Sequence, residues 1–133
     1  MGSGSDLDTI VCYGVAFNDD EFEFPWTEEG DLDEWWVSQN KRPEEDIGDD
    51  WDKILKRNPL PFHLDYAGID ASFYTILYIK GTRQLISWGP VYLDKINMSK
   101  PFYHELEDFM GFCREYNINF DEPLQWIAYS NYS

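Results

Sequence analysis

Basic residues are scarce in this sequence. Its 133 residues include 10 lysines and arginines against 26 aspartates and glutamates, and the formal net charge is −16. Proteins that bind nucleic acid or anionic membranes need clusters of lysine or arginine, so this composition argues against direct binding to either. The favoured partners are proteins with basic surfaces, of which DNA- and RNA-binding proteins are the largest class. Acidity that only maintains solubility, or that reflects a salt-loving host, is the alternative.

Long apolar runs and cysteines are also scarce. No run approaches the roughly 18 residues that span a bilayer, and no basic segment precedes an apolar one as in a signal peptide. Cys12 and Cys113 lie in apolar contexts, which predicts two buried thiols in a reducing compartment, with a disulfide between them as the alternative. We therefore expect a soluble protein of the cytoplasm.

Catalytic and cofactor motifs are missing. The sequence has no G-x-S-x-G, no G-x-G-x-x-G and no phosphate-binding loop, and its two histidines, His63 and His104, lack the spacing of a zinc site. The acidic runs 31–34 and 49–52 lack the alternating acids and central glycine of a calcium loop. We expect no cofactor, no metal and no enzymatic activity. A small metal-dependent hydrolase is the least favoured alternative.

Aromatic residues, in contrast, are abundant. Six tryptophans, nine tyrosines and nine phenylalanines make up 18% of the chain, enough apolar area to offset chain entropy in a folded protein. The length predicts a single domain over residues 6–133. The first five residues, MGSGS, are typical of an expression scar.

Most of the acidic charge is concentrated in one segment, residues 18–52. From 19 to 52 there are 15 acids and two bases, Lys41 and Arg42, a charge of −13, whereas the remaining 11 acids and 8 bases sum to −3. Salt adaptation usually spreads acids over a whole surface, so this concentration favours a binding surface for a partner. Trp26, flanked by Pro25 and acids, is the tryptophan of this segment that we expect to be exposed. The predicted partner-binding residues are Asp19, Asp20, Glu21, Glu23, Trp26, Glu28, Glu29, Asp31, Asp33, Glu34, Glu44, Glu45, Asp46, Asp49, Asp50 and Asp52.

Apolar runs predict the strands. Leu7–Phe17 is apolar on both alternating sets, which indicates a strand in the interior of a sheet, with Gly14 at a bulge or close approach. Ser72–Lys80 is the clearest strand, and a turn at Gly81-Thr82 predicts that Arg83–Trp88 returns beside it as an antiparallel hairpin. A short edge piece at 62–66 and a last strand at 124–129 complete the sheet.

Helical spacing and capping residues predict three helices. Two are short, one beginning at Asp31 and one at Asp50–Arg57. The third spans about Lys100–Tyr116 after an N-cap at Ser99, with an apolar face that includes Phe102 and Phe109. The predicted fold is α+β, a mostly antiparallel sheet of about four to five strands packed by one long helix, with two short helices in an acidic insertion.

Several short motifs carry a resemblance to a group of viral proteins. They are Phe24-Pro25-Trp26, the acidic run leading into Trp35-Trp36, Asn58-Pro59-Leu60-Pro61, Phe112-Cys113-x-x-Tyr116, and Pro123-Leu124-Gln125-Trp126 near Ser130-Asn131-Tyr132. In these the chain resembles small uncharacterised proteins encoded by tailed bacteriophages. By charge and size it also resembles phage inhibitors of restriction or CRISPR nucleases that imitate DNA.

The resemblance and the charge lead to one functional prediction. We expect an acidic, non-enzymatic phage protein that acts in the host cytoplasm and binds the basic nucleic-acid-binding surface of a host protein, such as a defence nuclease, as a DNA mimic. The alternative is a structural or assembly protein that uses its acidic face to oligomerise. A homodimer is left open in either case.

Overall fold

The strands and helices form an α+β protein, as predicted. A computed structural model describes residues 7–28, 30–69, 72–86 and 92–132, and within them lie an antiparallel sheet of five strands and three α-helices. In chain order the elements are β1 (Leu7–Asn18), α1 (Leu32–Asn40), α2 (Trp51–Arg57), β2 (His63–Ile69), β3 (Ser72–Tyr78), β4 (Gln84–Ile86), α3 (Tyr103–Glu115) and β5 (Gln125–Tyr132). A single 3-10 turn lies at Leu93–Lys95.

The chain divides into two compact units. One, called here the sheet unit, comprises Met1–Phe22 and Pro61–Ser133, and it contains all five strands and α3. The other, the helical unit, is Glu23–Leu60 and contains α1 and α2. In the part of the chain that the structure describes, no helix has the length and apolarity needed to cross a membrane.

Strand β1 is the interior strand of the sheet, as its two-sided apolar sequence predicts. Residues 7–14 pair with β5 and residues 14–18 pair with β3, so these two strands lie on opposite edges of β1. Ile10, Val11, Cys12 and Tyr13 are all buried, which places both alternating faces of the strand out of solvent.

Gly14 marks a close approach between strands, which confirms that expectation. A Cβ atom at this position would lie 2.1 Å from the carbonyl oxygen of Leu77 and 2.8 Å from the Cα of Tyr78. No real Cβ contact is that short, so a side chain at Gly14 would require the backbone of β3 to shift.

The predicted hairpin between β3 and β4 is wrong, because β4 pairs with β1. Residues Thr9–Val11 of β1 pair with both β4 and β5, so these two strands lie on opposite edges of β1. Because β3 also lies opposite β5, β4 and β3 share one edge. Three steps along β1, from Gly14 to Val11, are matched by six steps from Tyr78 to Gln84. Together β3 and β4 form one antiparallel partner of β1 that is interrupted by a bulge.

The residues predicted as a hairpin turn form this bulge. Gly81 has a φ of +84°, a left-handed conformation that glycine adopts without a steric penalty. Opposite the bulge, the Tyr13 carbonyl accepts from the Ile79 N–H at 2.9 Å, and the Tyr13 N–H donates to the Thr82 hydroxyl oxygen at 3.1 Å. Because Thr82 supplies the acceptor that the ladder lacks there, the chain continues along β1 and does not reverse.

Helix α3 begins later than predicted. A proline disfavours helical backbone angles in the residue before it, which here is Lys100. The observed N-cap is Phe102, so the predicted N-cap at Ser99 is wrong. Phe109 and Cys113 are buried on the face that the spacing predicts, and Phe112, which lies outside the predicted set, is buried as well. The rings of Phe109 and Phe112 contact Phe62 at centroid distances of 5.6 and 4.9 Å. Phe102, predicted on that face, is exposed.

Candidate functional site

The acids of segment 18–52 are divided between the two units. Asp19, Asp20 and Glu21 follow β1 in the sheet unit and are exposed. The Asp19 carboxylate accepts a hydrogen bond from the Thr75 hydroxyl at 2.6 Å, which fixes the start of this turn. The remaining acids belong to the helical unit, whose 12 acids and 5 bases give it a charge of −7.

The first group of helical-unit acids lies at the N-terminus of α1. Asp31 is the N-cap, and its carboxylate accepts from the Asp33 N–H at 2.8 Å, which confirms that the helix begins there. Asp33 and Glu34 occupy the first turn, where the helix dipole favours negative charge, and all three side chains are exposed.

The second group follows in the loop before α2 and in its first turn. Glu44, Asp46, Asp49 and Asp52 are exposed. Asp50 is half-buried, and its carboxylate accepts from the Asp46 N–H at 2.9 Å, closing the turn that leads into the helix. This hydrogen bond joins residues four apart in the loop, and the other four carboxylates of the group remain open to solvent.

Glu45 is the exception, and its place in the predicted surface needs correction. The side chain is buried, and both of its oxygens accept from the Arg57 guanidinium at 2.7 Å. The hydrogen bonds from Arg57 and from the Arg42 N–H hold the pKa of the Glu45 carboxyl at about 2, below its ordinary 4.5. Glu45 therefore has an internal role and does not face a partner.

The same arginine ties the C-terminal ends of α1 and α2 together. Arg57 donates to the Asn40 carbonyl at 3.1 Å, and the indole N–H of Trp36 donates to the Asn58 carbonyl at 2.6 Å. Each helix is about 10 to 13 Å long at 1.5 Å per residue, so the acids at the N-terminal ends lie away from this junction. The bases Lys56 and Arg57 lie in the last turn of α2, and Lys53, one turn earlier, also comes within 4.0 Å of the Glu45 carboxylate.

Trp26 is buried, so the prediction that it is exposed is wrong. Only 6% of the residue is accessible, and its ring stacks on Phe24 at a centroid distance of 4.7 Å and also contacts Trp35. The turn causes this placement, since Thr27 and Phe24 exchange hydrogen bonds of 3.0 Å that fold the segment back on itself. Trp35 is buried on its helix, as expected.

Most of the predicted carboxylates remain exposed and without an ion pair. Of the 15 acids from 19 to 52, Glu29 lies outside the described residues, which leaves 14. Twelve of these 14 are exposed, Glu23 and Glu28 among them, and Glu45 is the one of the 14 that forms a salt bridge with a described lysine or arginine. The acidic charge of the segment is not neutralised internally.

A second polar cluster, which the sequence did not reveal, lies in the sheet unit. The Tyr129 hydroxyl of β5 donates to the Asp65 carboxylate of β2 at 2.5 Å, and Arg83 Nε donates to the same oxygen at 3.2 Å. Burial raises the pKa of Tyr129 and raises that of the neighbouring Cys12 thiol to about 11. The thiol is therefore protonated at neutral pH, which makes it a poor nucleophile.

Neither a metal centre nor a relative identifies the site. The described residues contain no group of three or more His, Cys, Asp or Glu side chains that could hold a metal ion. No protein-family model, curated protein or solved structure matches the chain. The exposed acids of the helical unit are thus the principal candidate for a functional surface.

Proposed function

We propose that this protein is a phage-encoded, non-enzymatic inhibitor that acts in the host cytoplasm. It binds the basic nucleic-acid-binding surface of a host protein, a CRISPR or restriction nuclease in particular, and excludes DNA from that surface by imitating it. The observation that carries this proposal is that 12 of 14 described acids in the segment are exposed while one, Glu45, is ion-paired.

The amount of charge suits this role. Excluding Glu45, 10 described carboxylates remain in the helical unit. Duplex DNA carries one charge per roughly 1.7 Å of axis, so this number corresponds to roughly 17 Å of duplex. Complementary potentials of this kind accelerate association with a basic groove and select against acidic partners.

The helical unit supplies the rigid display that a mimic needs. The unit lies between β1 and β2 in the chain, and acids occupy the first turns of both α1 and α2. The internal pair of Glu45 and Arg57 connects the loop to the helix ends, so the exposed carboxylates are held by ordered backbone. Order lowers the entropy lost on binding.

Neutralisation of selected acids tests the proposal. The variant combines Asp33→Asn, Glu34→Gln, Asp49→Asn and Asp52→Asn, which are exposed positions whose side chains accept no hydrogen bond that holds the fold. In pull-downs from a bacterial lysate at low salt, we expect the variant to recover the partner at least about tenfold less well than the unmodified protein. The partner should elute as salt approaches about 1 M, where the Debye length is near 3 Å.

A matched control separates local from global charge. Asp108→Asn, Glu115→Gln, Asp121→Asn and Glu122→Gln remove the same number of exposed charges from the sheet unit. The control should bind as the unmodified protein does, and the purified partner should lose a labelled DNA duplex when this protein is added. Equal recovery by the two variants, or binding that persists unchanged in high salt, would refute the proposal.

A further inference from the structure

A second surface of the chain is apolar. Within residues 92–103 five large apolar side chains are exposed: Tyr92 (80%), Leu93 (76%), Met98 (49%), Phe102 (72%) and Tyr103 (76%). Single exposed apolar residues are common, but monomeric proteins seldom expose several so fully in one short segment. The segment lies in the sheet unit, apart in sequence from the acidic residues of the proposed function.

Hydrogen bonds hold this apolar segment in place. The Gln84 side chain of β4 donates to the Asn97 carbonyl at 2.6 Å and accepts from the Asn97 N–H at 2.8 Å. At the end of the segment, the Phe102 N–H donates to the Glu105 carboxylate at 3.1 Å, which caps α3. The exposed rings are therefore presented by anchored backbone, which reduces the entropy lost when they are buried by a partner.

The charges of the segment indicate which partner it accepts. Residues 92–103 contain one acid, Asp94, and two bases, Lys95 and Lys100, for a net charge of +1 in a chain of −16. Two acidic copies of the chain repel each other, and this segment, at +1, contributes little to that repulsion. Because it contains both signs, a two-fold arrangement can place Asp94 of one copy opposite a lysine of the other.

The three exposed rings supply more than half of the area that a stable dimer requires. The three rings, each about 200 Å² and about three-quarters exposed, present roughly 450 Å² together. Leu93, Met98 and the flanking charged side chains extend the patch towards the roughly 800 Å² per partner of a standard interface. We propose that residues 92–103 form the isologous interface of a homodimer.

The oligomeric state of the full chain in solution tests this inference. We expect analytical ultracentrifugation to give twice the 15.8 kDa chain mass. The variant Leu93→Ser, Phe102→Ser, Tyr103→Ser should weaken the dimer at least about 100-fold, since aromatic anchors dominate interface energies. Serine is a favoured N-cap residue, so the change at Phe102 is compatible with the start of α3.

A control and a salt series distinguish this interface from the acidic surface. Phe73→Thr with Leu85→Thr removes two other exposed apolar side chains, at 59% and 60%, and should leave the dimer intact. Added salt should strengthen the dimer, because it screens the repulsion between two chains of −16, whereas it weakens binding of the acids to a basic partner.

Three results would overturn the inference. The first is a monomeric mass at concentrations up to about 1 mM, where even weak dimers form. The second is a dimer that the serine variant leaves unchanged. The third is binding of zwitterionic lipid vesicles by a monomer through these same residues. None of them bears on the four-acid variant, so the two proposals fail independently.

Discussion

Substitution of Gly14 by alanine tests whether three strands meet at this residue as tightly as described. The added methyl group would lie 2.1 Å from the Leu77 carbonyl oxygen, more than 1 Å inside an ordinary contact. Relief by a shift of β1 is restricted, because Gly14 pairs with Tyr78 of β3 on one edge and Gln125 of β5 on the other. The strain therefore has to distort the ladder itself.

The expected loss follows from two opposing contributions. Overpacking with a backbone shift costs about 3 kcal/mol, and replacing glycine in a strand returns about 0.5 to 1 kcal/mol through the unfolded chain. The net destabilisation is about 2 to 2.5 kcal/mol. With an unfolding entropy of about 2.1 cal/mol/K per residue, the melting temperature should fall by about 7 to 9 °C, measured by calorimetry or by near-UV circular dichroism.

Gly111→Ala is the matched control, because the same substitution should have the opposite sign there. Gly111 lies inside α3, and a Cβ atom would meet only the end of the flexible Arg114 side chain at 4.0 Å. Alanine in a helix interior is favoured by about 0.5 to 1 kcal/mol, so this variant should melt a few degrees higher. A Gly14→Ala protein as stable as the unmodified one would refute the close approach in β1.

Three further predictions concern titratable groups. The pKa of Glu45 is lowered to about 2 from 4.5, so its ionised form stabilises the fold above pH 4.5 and this contribution is lost as pH falls towards 2. In urea titrations, the unfolding free energy of Glu45→Gln should therefore depend less on pH over that interval than that of the unmodified protein. Equal pH dependence would contradict the buried pair with Arg57. Burial raises the pKa of Cys12 to about 11 and that of Cys113 to about 12. A disulfide reagent at pH 8 should therefore label neither thiol until urea unfolds the chain. Rapid labelling of the native protein would contradict their burial. Tyr129→Phe removes a hydrogen bond to a carboxylate and should cost about 2 kcal/mol in urea unfolding, whereas an unchanged midpoint would show that this bond contributes nothing.

Local signals in the sequence predicted several elements correctly. Strand β1 is interior because it is apolar on both faces, and α1 begins at Asp31 because a carboxylate there accepts the Asp33 N–H. Both depend on neighbours within a few residues. The hairpin after β3 was predicted wrongly because a glycine in the left-handed region suits a turn and a bulge equally, and the choice depends on the hydrogen bond between Thr82 and the distant Tyr13.

In the candidate site, too, some features follow from local sequence and others depend on distant contacts. Exposure of carboxylates could be predicted from the high cost of burying a charge, and 12 of the 14 described acids are exposed. Glu45 escapes this cost because Arg57, twelve residues later, meets it with two hydrogen bonds, and no spacing rule relates those positions. The pair of Asp65 and Tyr129, 64 residues apart, left no signal in the sequence at all.

By itself the sequence determined the total charge, its concentration in residues 19–52 and the start of α1, since these depend on composition and on contacts along the chain. Only the tertiary structure decided that Trp26 is buried, that Glu45 is paired and that five large apolar side chains within residues 92–103 are exposed. The physical reason is that burial and pairing depend on which distant residues fold into contact. A tryptophan among acids has the same local sequence whether or not Phe24 and Trp35 cover its ring.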